Sequence, residues 1–123
     1  MRLQNFLLVV EDIERSWRFY RDLFGLEKVR DFDGNMVLTE GLVLQDRKIW
    51  ETFLGKEVRV RGHDAELYFE EADLDRFLAR VEKSGWEVEF VHPVVTHTWG
   101  QKVARLYDPD GHVIEVGEPF PAG

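Results

Sequence analysis

Glu115 lies in the run Val113-Ile114-Glu115-Val116, where an ionised carboxylate is costly unless it meets water, a partner or a ligand. Three other polar residues flank short apolar stretches: Asn5 before Phe6-Leu7-Leu8, Gln45 after Leu42-Val43-Leu44, and Glu66 before Leu67-Tyr68-Phe69. Brought to one place, two carboxylates and two amides could bind a cationic group, or pass a proton between carboxyl groups. They could also offer oxygen donors to a hard divalent ion such as magnesium or manganese. Tyr68 stands two residues after Glu66, so in an extended strand it shares that residue's face. Trp99 sits in the loop Thr96-His97-Thr98-Trp99-Gly100-Gln101, and loops on a rigid scaffold often carry binding groups.

An internal repeat aligns these four positions. Leu7 to Val10 leads to Asp12, a good helix N-cap; Ile13, Trp17, Tyr20 and Phe24 then recur at helical spacing, and Gly25 stops the helix. Leu67-Tyr68-Phe69 leads in the same way to Asp73, then Leu74, Phe77, Leu78 and Val81, and Gly85. The caps are 61 residues apart (73 − 12) and the stops 60 (85 − 25), close to half of 123. Strand-like pieces follow each helix, at 26–32, 36–39 and 42–45 in the first half and at 86–91, 102–107 and 112–116 in the second. Each half therefore reads as βαβββ, and the fold class is α+β with two βαβββ modules related by a pseudo-twofold. The half-repeats span 1–46 and 64–117 of one domain, with a linker at 47–63 that holds a short amphipathic helix before Gly55. Glu118 to Gly123 read as a loose tail. Counting back seven from each cap gives Asn5 and Glu66, and counting forward four from Gly41 and Gly111 gives Gln45 and Glu115. These form two symmetry-related pairs facing a cup between the modules.

The composition excludes several function classes. There are 24 acidic and 16 basic residues, a net charge of −8, and no cysteine. That field repels phosphate backbones and anionic lipid surfaces, so neither nucleic acid nor membrane is an expected partner. The longest apolar run, Phe6 to Val10, is far shorter than a bilayer span of about 20 residues, and the expected location is cytoplasmic. Without cysteine there is no disulfide, thiolate zinc site or cysteine nucleophile. No Walker loop, G-x-G-x-x-G or G-x-S-x-G motif is present.

The stretch from Asn5 through Asp12, then Ser16, Phe19-Tyr20 and residues 23–26, and finally Tyr107-Asp108-Pro109-Asp110-Gly111-His112-Val113-Ile114-Glu115, resembles the glyoxalase, bleomycin-resistance and extradiol-dioxygenase superfamily, the vicinal oxygen chelate proteins. The resemblance covers essentially the whole chain and implies that superfamily's fold. In that superfamily the four positions commonly hold a divalent metal through two first-strand histidines and last-strand glutamate or glutamine. Glu115 matches the last-strand ligand, but Asn5 and Glu66 replace both histidines, and Gln45 fills the remaining place. Zinc, nickel and iron sites favour imidazole donors, so glyoxalase I and dioxygenase activities are disfavoured and no metal is expected.

The expectation is therefore metal-free binding of a small aromatic or cationic molecule, as in the bleomycin-resistance branch. Glu66 and Glu115 would supply charge, Asn5 and Gln45 hydrogen bonds, and Tyr68 and Trp99 walls. The alternative is an isomerase or lyase, either dependent on a divalent metal such as magnesium or manganese or using Glu115 as base and Glu66 as acid. A homodimer is implied by the resemblance alone. A ferredoxin-like sandwich, with one strand fewer per half, is the competing fold. Trp17, Tyr20 and Phe77 are expected in the core, and His63, His92 and His112 in ordinary loop or edge roles. Arg105 is undecided: a simple four-residue turn pairs Glu115 with Ala104 and turns Arg105 away, whereas one extra residue would reverse it.

Overall fold

The structure, a computed structural model, describes residues 1–119. The chain forms two compact units, Met1–Arg59 and a second beginning at Val60. Each has its own four-stranded sheet, one strand more per half than the ferredoxin-like alternative provides.

In the first unit, β1 (Phe6–Val10) runs into α1 (Ile13–Phe24) through Asp12, whose carboxylate accepts the Arg15 N–H at 3.1 Å. This cap satisfies an amide that the first helical turn leaves without a partner. After Gly25 come β2 (Lys28–Asp31), β3 (Asn35–Leu38) and β4 (Leu42–Asp46), in sheet order β1-β4-β3-β2 with β1 and β4 parallel. Leu8, Leu44 and Met36 form a buried row across three strands. The next row, Val9, Gln45 and Asn35, points to the opposite face.

The buried stripe of α1 is Ser16, Phe19, Tyr20 and Leu23. Trp17, expected in the core, sits at its edge: the Lys28 ammonium and the Arg21 guanidinium lie 4.5 and 4.9 Å from the ring centre. Cations of this kind are attracted to an indole face while keeping contact with water. The short helix expected after β4 is α2 (Arg47–Leu54), capped by Asp46 and ended by Gly55. It packs on β1 and β4 and so belongs to the first unit.

The second unit repeats the plan. β5 (Glu66–Glu70) leads through the Asp73 cap into α3 (Leu74–Ser84), which buries Leu74, Phe77 and Val81. Then come β6 (Val95–Thr96), β7 (Lys102–Tyr107) and β8 (Val113–Gly117), in order β5-β8-β7-β6 with β5 and β8 parallel.

The strand expected at 86–91 is interrupted. Phe90 makes one bridge to Leu106, flanked by bonds from Val91 N–H to the Arg105 carbonyl and from Tyr107 N–H to the Glu89 carbonyl, both 2.9 Å. Pairing with β7 resumes only at Val95. Pro93 cannot donate to a ladder, and the sheet edge is where such a break is tolerated.

The expected tail begins in place. Glu118 N–H donates to the Lys102 carbonyl at 3.1 Å, and its carboxylate accepts the Leu74 N–H at 3.0 Å, adding a cap to α3. The rest of that expectation, residues 120–123, lies outside the described residues.

Candidate functional site

The hairpin between β7 and β8 decides what the second unit presents. Asp108 N–H donates to the His112 carbonyl at 3.0 Å, which closes a three-residue loop of Pro109, Asp110 and Gly111. Gly111 has φ +88°, the left-handed conformation that ends such a loop and that glycine adopts without steric cost. The buried Asp108 carboxylate accepts N–H bonds from Asp110 and His112, each 2.9 Å, and meets His112 Nδ1 at 2.7 Å. One residue more than a two-residue loop shifts the register by one. Glu115 therefore stands opposite Arg105, and Ala104 stands opposite Val116.

Tyr68, Glu115 and Arg105 consequently form one lateral row across β5, β8 and β7. Glu66 lies one step along β5 on the same face. Arg105 Nε donates to Glu66 Oε1 at 3.1 Å, while Nη2 is hydrogen-bonded to Glu115 Oε1. The guanidinium thus bridges both expected carboxylates. The Glu115 side chain is only 11% exposed, so the ion pair answers the cost of a carboxylate in an apolar strand.

The third guanidinium nitrogen, Nη1, lies 3.4 Å from His92 Nε2, while His92 Nδ1 lies 2.8 Å from the Pro93 carbonyl. A carbonyl only accepts, so Nδ1 carries the proton and Nε2 offers its lone pair to Arg105. His92 was expected to be an ordinary loop residue. It reaches Arg105 because the edge strand breaks at Pro93, a consequence of pairing that spacing along the chain did not signal.

Tyr68 and Trp99, both expected at the site, are joined through Gln101. The Trp99 indole N–H donates to Gln101 Oε1 at 3.1 Å, and Gln101 Nε2 donates to the Tyr68 hydroxyl at 2.8 Å and to the Glu118 carbonyl at 3.0 Å. His97 stacks on Trp99, with ring centres 4.2 Å apart and planes 12° apart. Gln101 is buried, whereas Tyr68 and Trp99 are 46% and 54% exposed. Gly117 on β8 makes room for this network, since a Cβ there would lie 2.8 Å from both Gln101 Nε2 and the Tyr68 hydroxyl.

The structure does not bring Asn5 to Gln45. The Asn5 side chain donates to the Gly41 carbonyl at 3.3 Å, and buried Gln45 accepts from Asn35 Nδ2 at 2.7 Å. Equal spacing from the helix caps does not survive as equal sheet register. Val9 neighbours Gln45 and Tyr68 neighbours Glu115, so Asn5 is four residues from the matching position (9 − 5) and Glu66 two (68 − 66).

For a divalent metal, the expected carboxylates of the second unit are a poor set, because a cationic guanidinium already binds both. Asp108, Asp110 and His112 also cluster, with potential ligand atoms within 4.8 Å of one another. The Asp108 oxygens are committed to the hairpin loop. Elsewhere in this unit His63 Nε2 lies 2.9 Å from the Tyr107 hydroxyl. An apolar groove of about 540 Å³ is lined by Leu78, Phe90, Val91, His92, Pro93 and Val94.

Among the described residues no helix is long and apolar enough to cross a membrane. The glyoxalase-like domain family matches residues 3–121. A protein of unknown function from Agrobacterium tumefaciens is 38% identical, with a TM-score of 0.82 over 97% of this chain and 94% of its own. A glyoxalase/bleomycin resistance protein/dioxygenase family enzyme from Burkholderia phytofirmans is 16% identical, with a TM-score of 0.77 over 94% of this chain and 96% of its own. Lactoylglutathione lyase from Agrobacterium tumefaciens is 24% identical, with a TM-score of 0.68 over 95% of this chain and 92% of its own. These last two share the fold. No curated protein matches. Two βαβββ units with matching sheet orders, and a family match over nearly the whole length, place the chain in the glyoxalase-like domain family of the glyoxalase/bleomycin-resistance/dioxygenase superfamily.

Proposed function

We propose that this glyoxalase-like protein binds a small aromatic cation without a metal, on the exposed sheet face of its second unit. The observation that carries this reading is the Arg105 bridge between Glu66 and Glu115. A protein cation already lies against both carboxylates, and a divalent ion would have to displace it against like-charge repulsion. Two carboxylates and one guanidinium leave the cluster one negative charge, which favours a monocation. Tyr68 and Trp99 add the apolar walls that such sites use to bury a ligand.

The enzymatic alternative, with Glu115 as base, meets the same obstacle. Arg105 already holds Glu115 Oε1, and a general base must be within reach of the proton it removes. Asn5 and Gln45 remain candidates for ligand hydrogen bonds only if their partners within the first unit yield. A homodimer, implied by the family resemblance, and a cytoplasmic location, expected from the shortness of the apolar runs, accompany this reading.

Elemental analysis of protein purified without chelators, followed by thermal melts with benzylamine, tests the reading. The expected result is no stoichiometric metal and a melting temperature that rises with benzylamine concentration, because the ligand binds only the native state. Glu115→Gln should abolish that rise. Stoichiometric metal, or a melting temperature indifferent to benzylamine, would overturn it.

A further inference from the structure

Gln101 determines which way the Tyr68 hydroxyl proton points. An indole N–H can only donate, and a backbone carbonyl can only accept. Trp99 Nε1 at 3.1 Å therefore requires the Gln101 oxygen on its side, and the Glu118 carbonyl at 3.0 Å requires the Gln101 nitrogen on the other. A flipped amide would set two donors against each other at Trp99 and two oxygens against each other at Glu118. The second amide proton meets the Tyr68 hydroxyl at 2.8 Å, so Tyr68 accepts there. A hydroxyl has one proton, and with Gln101 donating to its oxygen that proton must turn elsewhere. Tyr68 stands in the row with Glu115 and is 46% exposed, so the proton is available on the face that carries Glu66, Arg105 and Glu115.

The same network constrains the surroundings of that proton. Gln101 is buried and ties Trp99 to Tyr68 through a single amide, and His97 stacks on Trp99 to make a flat aromatic pair. The absent side chain of Gly117 lets the Tyr68 hydroxyl and the amide meet. A ligand lying against Trp99 and reaching Tyr68 must offer an acceptor, because a donor would face another donor. The acceptor must also be neutral. Glu66 and Glu115 outnumber Arg105 on this face, so an anionic oxygen would be repelled, whereas a carbonyl dipole would not.

We infer that the second unit selects planar aromatic molecules carrying a neutral carbonyl, with Tyr68 as donor to that oxygen and Gln101 as the positioning residue that makes Tyr68 a donor. This rests on the proposed binding function and adds the ligand class.

The test compares benzylamine with 4-(aminomethyl)benzamide, which differ by one carbonyl-bearing group, in NMR titrations of the whole protein. Wild type should bind the amide about fivefold more tightly, the worth of one neutral hydrogen bond. Tyr68→Phe should bring that ratio to about one. Gln101→Met is the second variant: the hydroxyl remains, but with no amide donating to its oxygen its proton is no longer fixed toward the sheet face, and the ratio should fall towards one. A ratio unchanged in either variant, or equal binding of the two probes by wild type, overturns the inference and leaves the binding function standing. Failure of both probes to bind wild type overturns the binding function and the ligand class with it.

Discussion

Arg105 and Glu115 face each other across neighbouring antiparallel strands and form an ion pair whose acidic member is nearly buried. The pair exists because the loop before Glu115 has three residues between the closing Asp108 and His112. With two, Ala104 would take the place of Arg105 and the guanidinium would project from the other face.

Arg105→Ala should therefore do more than remove a surface charge. It leaves Glu115 as an unpartnered carboxylate in an apolar strand, an expected loss of about 1–3 kcal/mol, seen as a lower urea midpoint. Glu115→Gln in the same chain should restore most of the loss, because the stranded charge goes with it. Equal and additive effects of the two changes would argue against coupling.

Removal of the same guanidinium should alter metal behaviour. In wild type, added manganese should show no saturable binding at Glu66 and Glu115, whereas Arg105→Ala frees two carboxylates that can share a hard cation. The electron paramagnetic resonance signal of free manganese distinguishes the cases, with Arg105→Ala/Glu115→Gln as the control that loses the gained site.

Gly117→Ala places a methyl group 2.8 Å from the Gln101 amide nitrogen and the Tyr68 hydroxyl. Something must move, at an expected cost of about 1–3 kcal/mol. The Trp99 indole N–H, held through Gln101, should report the movement as a shifted and faster-exchanging NMR resonance.

Asp108→Ala should be among the more damaging single substitutions in the second unit. The buried carboxylate serves two backbone N–H groups and His112 Nδ1. Its loss should lower stability by about 1–3 kcal/mol, since two half-buried amides lose their shared acceptor. It should also weaken the register that pairs Arg105 with Glu115, measurable as loss of the cross-strand contacts between them in NMR spectra.

The first unit carries an exposed charge pair with a defined pH signature. The hydrogen bond from Arg47 holds the Glu11 carboxyl below its usual value of 4.5, and Glu11 in turn raises Arg47. A depressed folded-state value means that the contribution is present above the unfolded value and lost as pH falls through the folded one. Urea midpoints of wild type and Glu11→Gln should thus differ modestly at pH 7 and converge in acid. In the second unit the sign reverses. Asp75 raises Lys102 above its usual 10.5, so the contribution is present below that value and lost as pH rises through the folded one. Asp75→Asn should erase a small difference that wild type retains at pH 9 and loses in stronger base.

The amino-acid sequence by itself determined the local elements and their doubling. Asp12 and Asp73 cap their helices, Gly25 and Gly85 end them, and apolar spacing selects Tyr20, Phe77 and Val81 for burial. Each of these depends on contacts within one or two helical turns, which spacing along the chain reports directly. Glu115 stood out for a similarly local reason, as a charge inside an apolar run that needs a partner. What only the tertiary structure decided is which side chains meet across strands. Arg105 faces Glu115 because of one residue in a hairpin loop, and His92 reaches Arg105 because Pro93 breaks a sheet edge. Asn5 and Gln45 do not meet, because β1 and β5 take different registers against their partners despite equal distances from their caps. Strand pairing is non-local, and the period-2 alternation of side chains turns a one-residue difference in connection into the opposite face of the sheet.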